Sequence, residues 1–254
     1  MTLKGKQTAM VLSGGGAKGA YQIGMLRALE EAGLEKERLT LAGTSIGALN
    51  ALMYAIGDTD SMRKLVWSME DMKDEADVYA SKLFPDDLLL ANRIPVTVCA
   101  YCIEREQPEY FFLNELPPQE QRDMTVASAS LPDLLPPVFY QGCSYLDGGK
   151  IPPQCSAQAA PADKIPLGAL RGGQFELLII SYLKPEDQVD HSWFKGPVLE
   201  FRPSEPLEDE PGTGTRDYSP ARLEKNERMG YEETKAALEG IYADMEQDRE
   251  TEYQ

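Results

Sequence analysis

The chain has 254 residues, a length that suits one α/β domain with a sizeable core. Its 25 Lys and Arg against 42 Asp and Glu give a net charge of −17, which repels phosphate backbones and anionic headgroups and excludes nucleic acid as an expected partner. With 42 % hydrophobic and 26 % charged residues, and no run of about 18 apolar residues, the composition is that of a folded, soluble domain.

The amino-terminal MTLKGKQTAMVLSGGG offers only AMVL before glycines interrupt it, too short for a secretory signal, so a cytoplasmic product is expected. Thr8 to Ser13 read as a short buried strand. Glycines follow, then AKGAYQIGMLRALEEAG, where Tyr21, Met25, Leu26 and Leu29 recur at helical spacing and Gly33 closes the helix. The next apolar run, LTLAG, passes through TSIG into ALNALMYAIG, a second strand-turn-helix unit. Trp67 to Asn92 is charged and loosely periodic, read as a helix and surface connection. IPVTVCAYCI and FELLIISYL continue the alternation as buried strands, so the expected architecture is α/β with a mostly parallel sheet covered by helices.

PVFYQGCSYLDGG reads as a hairpin in which Val138 to Tyr140 and Ser144 to Leu146 flank the turn Gln141-Gly142, with Asp147 just beyond. A Pro-, Glu- and Gly-rich loop from Pro203 to Tyr218 precedes a final helix capped by Ser219 with Pro220 at its first position. Residues 205–254 hold 15 acids and 6 bases, 6 − 15 = −9 of the total charge, and are read as a solvated amphipathic helix. The whole of 1–254 is expected to be one domain, closed by the helix over 219–250. The four cysteines, Cys99, Cys102, Cys143 and Cys155, are read as buried reduced thiols. Cys99 and Cys102 have C-x-x-C spacing but sit in the apolar run VTVCAYC, Cys143 and Cys155 have no histidine nearby, and no metal is expected.

Three motifs carry chemistry. Gly43-Thr44-Ser45-Ile46-Gly47 is a G-x-S-x-G between strand and helix, where a sharp elbow projects the serine hydroxyl and glycines avoid collision on either side. Chance supplies it about 0.1 times in such a chain. Gly14-Gly15-Gly16-Ala17-Lys18-Gly19 occupies the preceding strand-helix junction and arises by chance only roughly 0.006 times, so it is the more specific signal. Its unobstructed N–H groups at a helix amino terminus suit an oxyanion or a phosphate. Lys18 either reinforces that potential or is an exposed lysine without a role. Asp147-Gly148-Gly149 is either a common turn or an acid that permits close approach.

Ser45 needs a base. His191 is the only histidine, and Ser45, Asp147 and His191 stand in the chain order of an α/β-hydrolase triad. It lies, however, in the polar stretch KPEDQVDHSWFKG, where a surface histidine is the plain reading, and an aspartate contacting the serine directly is the other base. Gly14, Gly16 and Gly19 also satisfy the dinucleotide-binding G-x-G-x-x-G, but the second strand ends in Ala42-Gly43-Thr44-Ser45 rather than in the acid that would hold a ribose. A P-loop fails because Ala20, not lysine, follows Gly19. A non-catalytic binding protein of the same fold is the remaining alternative.

Together, SGGGAKGAYQIGMLRALEEAG, LAGTSIGALNAL, ASASLPDLLPPV and YLDGG, in this order, resemble the patatin-like phospholipase family from about Ala9 to about Leu238. The resemblance implies a three-layer α/β/α fold and a Ser-Asp dyad without histidine that hydrolyses lipid acyl esters, phospholipase A or lysophospholipase in type, with no metal or cofactor. By position Ser45 is the nucleophile, Asp147 the base, and the Gly14, Gly15 and Gly16 amides the oxyanion hole, with Lys18 and Gly19 in support. The expected partners are a lipid or small ester and, given the negative charge, only weak, hydrophobic contact with a membrane surface. One departure is visible: the family often continues D-G-G/A-x-x-D-N-x-P, where this chain reads DGGKIPPQCS.

Overall fold

A computed structural model of the protein describes residues 3–69, 84–132 and 134–252, with side chains through 241. Of the 26 residues of the Trp67–Asn92 segment, read as a helix and surface connection, the 14 at 70–83 lie outside the described residues.

Two strand-turn-helix units open the chain, as the apolar periodicity requires. Strand β1 (Thr8–Leu12) leads through a short 3-10 turn over Gly16–Gly19 into α1 (Ala20–Glu31), and β2 (Leu39–Thr44) leads through Ser45 into α2 (Ile46–Ile56). Helices α3 (Thr59–Ser68) and α4 (Asp86–Ala91) precede β3 (Val96–Cys102), β4 (Gln107–Phe112) and α5 (Pro118–Ala129). The hairpin β5 (Val138–Tyr140) and β6 (Cys143–Asp147), the strands β7 (Leu177–Ser181) and β8 (Val198–Phe201), and the long helix α6 (Pro220–Glu252) complete the chain. The hairpin turn is where the sequence puts it, because Gln141 and Gly142 both take positive φ, 45° and 84°, as a tight two-residue hairpin demands.

The strands form one eight-stranded sheet ordered β5-β6-β3-β2-β1-β7-β8, with β4 also paired to β3. Its centre, β3-β2-β1-β7-β8, is parallel. Alternate residues of its buried strands feed two cores: Met10, Leu12, Leu177 and Ile179 face one side, and Ala9, Val11, Leu178 and Ile180 the other. The first face is covered by helices. The second is covered more thinly, by the 3-10 turn Leu167–Leu170 and by irregular chain carrying Val189, Trp193 and Phe194.

Strand β3 is a branch point. Strand β4 runs along Thr97 to Cys102, so the other edge of β3 is shared: β2 pairs with Val96 to Cys99 and β6 with Ala100 to Cys102. Since β2 is parallel and β6 antiparallel to β3, the two run head-on and meet, Thr44 opposite Cys99 and Asp147 opposite Ala100. The same strand explains the C-x-x-C motif. Three residues apart on a strand, Cys99 and Cys102 face opposite sides, both buried and both free.

Helix α6 crosses α1 at unusually close range. A Cβ on Gly24 would fall 1.9 Å from the Glu227 carbonyl oxygen, and one on Gly230 would fall 2.0 Å from that of Tyr21. Buried Glu227 receives both Arg27 and Arg63, each at 2.9 Å, which ties α6 to α1 and α3. No helix among the described residues is long and apolar enough to cross a membrane.

Candidate active site

Ser45 occupies the elbow between β2 and α2 with φ 58° and ψ −128°, a left-handed conformation that costs a serine about 1–3 kcal/mol. The flanking glycines make it possible: a Cβ on Gly47 would lie 2.1 Å from the Leu12 carbonyl oxygen, and one on Gly43 would lie 2.3 Å from that of Gly47. The Ser45 N–H donates to Ser128 Oγ at 3.0 Å, and the Ser128 hydroxyl donates to the Cys99 carbonyl at 2.6 Å. The elbow is thereby pinned from α5 onto β3. Ser128 belongs to the ASASLP segment, whose sequence identifies the segment but not this contact.

Asp147 ends β6 where β2 ends from the other direction, and the residue is 1 % exposed. Its N–H donates to the Ser130 carbonyl, its Oδ1 accepts the Gly149 N–H at 2.8 Å, and its Oδ2 is buried without a hydrogen-bond partner. Burial pushes the carboxyl up to about 6; the Ser45 hydroxyl, the Gly149 N–H and the Lys150 ammonium oppose that rise. The serine is thus close enough to favour the carboxylate, while Oδ2 still lacks a hydrogen bond of ordinary geometry.

The glycine turn abuts this pair, since a Cβ on Gly14 would lie 3.1 Å from Ser45 Cβ. Its amides are not equivalent. Gly14 N–H donates to the Lys164 carbonyl at 2.9 Å and Ala17 N–H to the Thr215 carbonyl at 3.1 Å, whereas the Gly15 and Gly16 N–H groups have no partner among the described residues. Gly19 stands at the start of α1 and packs against Ile46 and Asn50. Two polar residues missing from the sequence reading hold the turn in place. Gln22 Nε2 donates to the Ser13 carbonyl, and buried Asn50 Nδ2 donates to the Gly19 carbonyl and to Gln22 Oε1. A single amide inside each of two apolar helix segments is the signal that could have found them.

Lys18 is not an exposed lysine. Its residue is 3 % exposed, its ammonium lies 2.7 Å from Glu208, and a Cβ on Gly214 would press on its stem. Lys18, with the Gly212 and Gly214 N–H groups, holds the Glu208 carboxyl down to about 2. The loop before α6 is therefore latched across the glycine turn.

Asp163-Lys164-Ile165-Pro166, which begins 16 residues after Asp147, packs back against the Asp147-Gly148-Gly149 turn. Asp163 N–H donates to the Gly148 carbonyl, Thr44 Oγ1 donates to the Asp163 carbonyl, and Tyr110 donates to Asp163 Oδ2.

A cavity of about 230 Å³ opens beside these groups, lined by Gly14, Gly15, Gly16, Ser45, Asp147 and Gly149, together with Leu131, Thr215 and four lysines. His191 does not line it. That imidazole sits 34 % exposed in the loop after β7, 3.9 Å from Glu200.

A mostly parallel α/β sheet carrying an elbow serine, a buried acid and a glycine-rich turn at one cavity is the organisation of a serine hydrolase scaffold. The particular resemblance also holds: residues 10–95 match the model of the patatin-like phospholipase family. The chain is 30 % identical over 171 residues to the lysophospholipase nte1 of Aspergillus terreus, an alignment covering 59 % of this chain and 11 % of that protein. It is 49 % identical over 53 residues to human patatin-like phospholipase domain-containing protein 6, covering 21 % of this chain and 4 % of that one. The chain thus spans a small part of the length of these relatives. Among solved structures, VipD from Legionella pneumophila superposes with a TM-score of 0.53 at 14 % identity, covering 92 % of this chain and 67 % of that one, a likeness of fold.

Proposed function

We propose that the chain is a lipid acyl hydrolase of phospholipase A or lysophospholipase type, working through a Ser45-Asp147 dyad. The observation that carries this reading is the convergence, at one cavity, of a strained elbow serine, a buried unpartnered carboxylate oxygen and two unengaged backbone N–H groups. Asp147 takes the Ser45 proton as Oγ attacks the ester carbonyl. The Gly15 and Gly16 N–H groups stabilise the oxyanion, since their neighbours at Gly14 and Ala17 are engaged. Collapse expels the alcohol, which receives the proton from Asp147, and water then hydrolyses the acyl-enzyme by the same route. A carboxylate raised to about 6 is a stronger base than an ordinary aspartate and yet is ionised near neutral pH, which suits the role.

The family match and the partial relatives support the reaction class. The position of His191 outside the cavity lining favours the dyad over a triad. Intact-mass analysis after fluorophosphonate treatment tests the proposal. One adduct is expected on wild type and on His191→Ala and none on Ser45→Ala; an unlabelled wild type, or loss of labelling in His191→Ala, overturns it.

A further inference from the structure

The only acidic side chain lining the cavity is Asp147, against four lysines, Lys18, Lys150, Lys164 and Lys184, in a chain whose net charge is −17. Two of the four are neutralised from outside the cavity: Lys18 by Glu208 and Lys164 by Asp187. The other two are not. Lys184 has only a loose, exposed pairing with Glu186 at 3.7 Å, and no carboxylate lies within ion-pair distance of the Lys150 ammonium among the described residues. The ammonium groups also feel one another, because Lys184 and Lys18 both press on Lys164 and favour its neutral form, although burial is the larger cause. Lys150 sits close enough to favour the charged form of Asp147. An acidic protein that gathers cations at one concave site and leaves two of them, Lys150 and Lys184, without a close carboxylate partner leaves these a counter-charge to find.

The lining also limits what enters. Leu131 is its one large apolar side chain, and about 230 Å³ accommodates a small polar group better than an acyl chain. We infer that this cavity receives the headgroup side of the substrate and that Lys150 and Lys184 select esters bearing a phosphate or comparable anion close to the scissile bond, over zwitterionic and neutral ones. The inference rests on the hydrolase reading for the placing of the ester at Ser45, but the anion site itself does not require turnover.

The test uses lysophosphatidate, lysophosphatidylcholine and monoacylglycerol of one chain length, below their micellar concentrations, at pH 8 where Asp147 is ionised. Wild type is expected to show kcat/KM for lysophosphatidate about tenfold or more above that for monoacylglycerol, the scale of electrostatic focusing. The ratio falls toward one in Lys150→Ala/Lys184→Ala and is retained in Lys150→Arg. It is also retained in Lys195→Ala, which removes a remote charge. A ratio near one in wild type, or one that survives the double substitution in a protein of unchanged melting temperature, overturns the inference.

A second arm separates it from the hydrolase reading. Dodecyl phosphate is titrated calorimetrically into Ser45→Ala, with and without the two lysine substitutions, and inorganic phosphate is titrated alongside. Lysine-dependent binding of dodecyl phosphate without any ester cleavage by wild type sustains the anion site and removes the hydrolase. Cleavage without lysine-dependent binding does the reverse. Inorganic phosphate binding as tightly as dodecyl phosphate assigns the site to the free anion and overturns the headgroup assignment.

Discussion

Asp147 is asked to be both buried and charged. A carboxyl raised from 3.8 to about 6 has its fold-stabilising form, the neutral acid, present below about pH 4 and lost as pH rises through about 6. Above that, ionisation costs the fold on the order of 2–3 kcal/mol, at about 1.4 per pH unit. The proposed role of Asp147 as base needs the opposite form. Activity on a neutral ester is therefore expected to climb with pH to a plateau, with a midpoint near 6. Asp147→Asn should lose nearly all of that activity while melting higher than wild type at pH 8 and by a smaller margin at pH 4. A flat pH profile between 5 and 8, or an Asn variant less stable at pH 8, contradicts this account, as the Gly149 N–H keeps its acceptor in either case.

The elements that hold the site are less local than the site itself. Helix α6 approaches α1 through Gly24 and Gly230, and α1 carries Gln22, whose amide grips the strand end at Ser13. A leucine at Gly230 must force the helices apart, at a cost of about 1–3 kcal/mol or more. Gly230→Leu is accordingly expected to lower the melting temperature and to reduce kcat with it, although position 230 does not line the cavity; unchanged thermal unfolding would refute the close crossing. The strand-turn-helix units, the hairpin with its Gln141-Gly142 turn and the Ser219-Pro220 helix start were legible because each is written in consecutive residues. Ser128, Asn50 and the latch of Lys18 by Glu208 were not. Each joins side chains to groups 28 to 190 residues away, and spacing along the chain says nothing of such pairs. The hydrogen bond from the Asp163 N–H to the Gly148 carbonyl was hidden for a related reason, since it joins residues 15 apart in sequence.

For the molecule as a whole, the acidic surface and the lysine-lined cavity act over different ranges. Screening limits the site to ligands within about 10 Å, whereas net charge governs the approach of an extended bilayer. Sedimentation with phosphatidylcholine vesicles at low salt is expected to stay constant or fall as phosphatidylglycerol is added, and a rise would show that the cavity, not the surface, dominates. Anionic esters should then be taken as monomers more readily than from a charged membrane.

The head-on meeting of β2 and β6 along one edge of β3 has a bearing on biosynthesis. A nascent chain extended to Cys102 already holds Ser45 and the strand edge that receives it, yet lacks the aspartate, which is encoded 45 residues further on and joins the opposite half of that edge. Amino-terminal segments emerge first and begin to fold before the rest is made. Serine and carboxylate therefore come together only after β3 has been completed and β6 has docked on it, so a truncated or half-folded chain displays the elbow without Asp147 beside it.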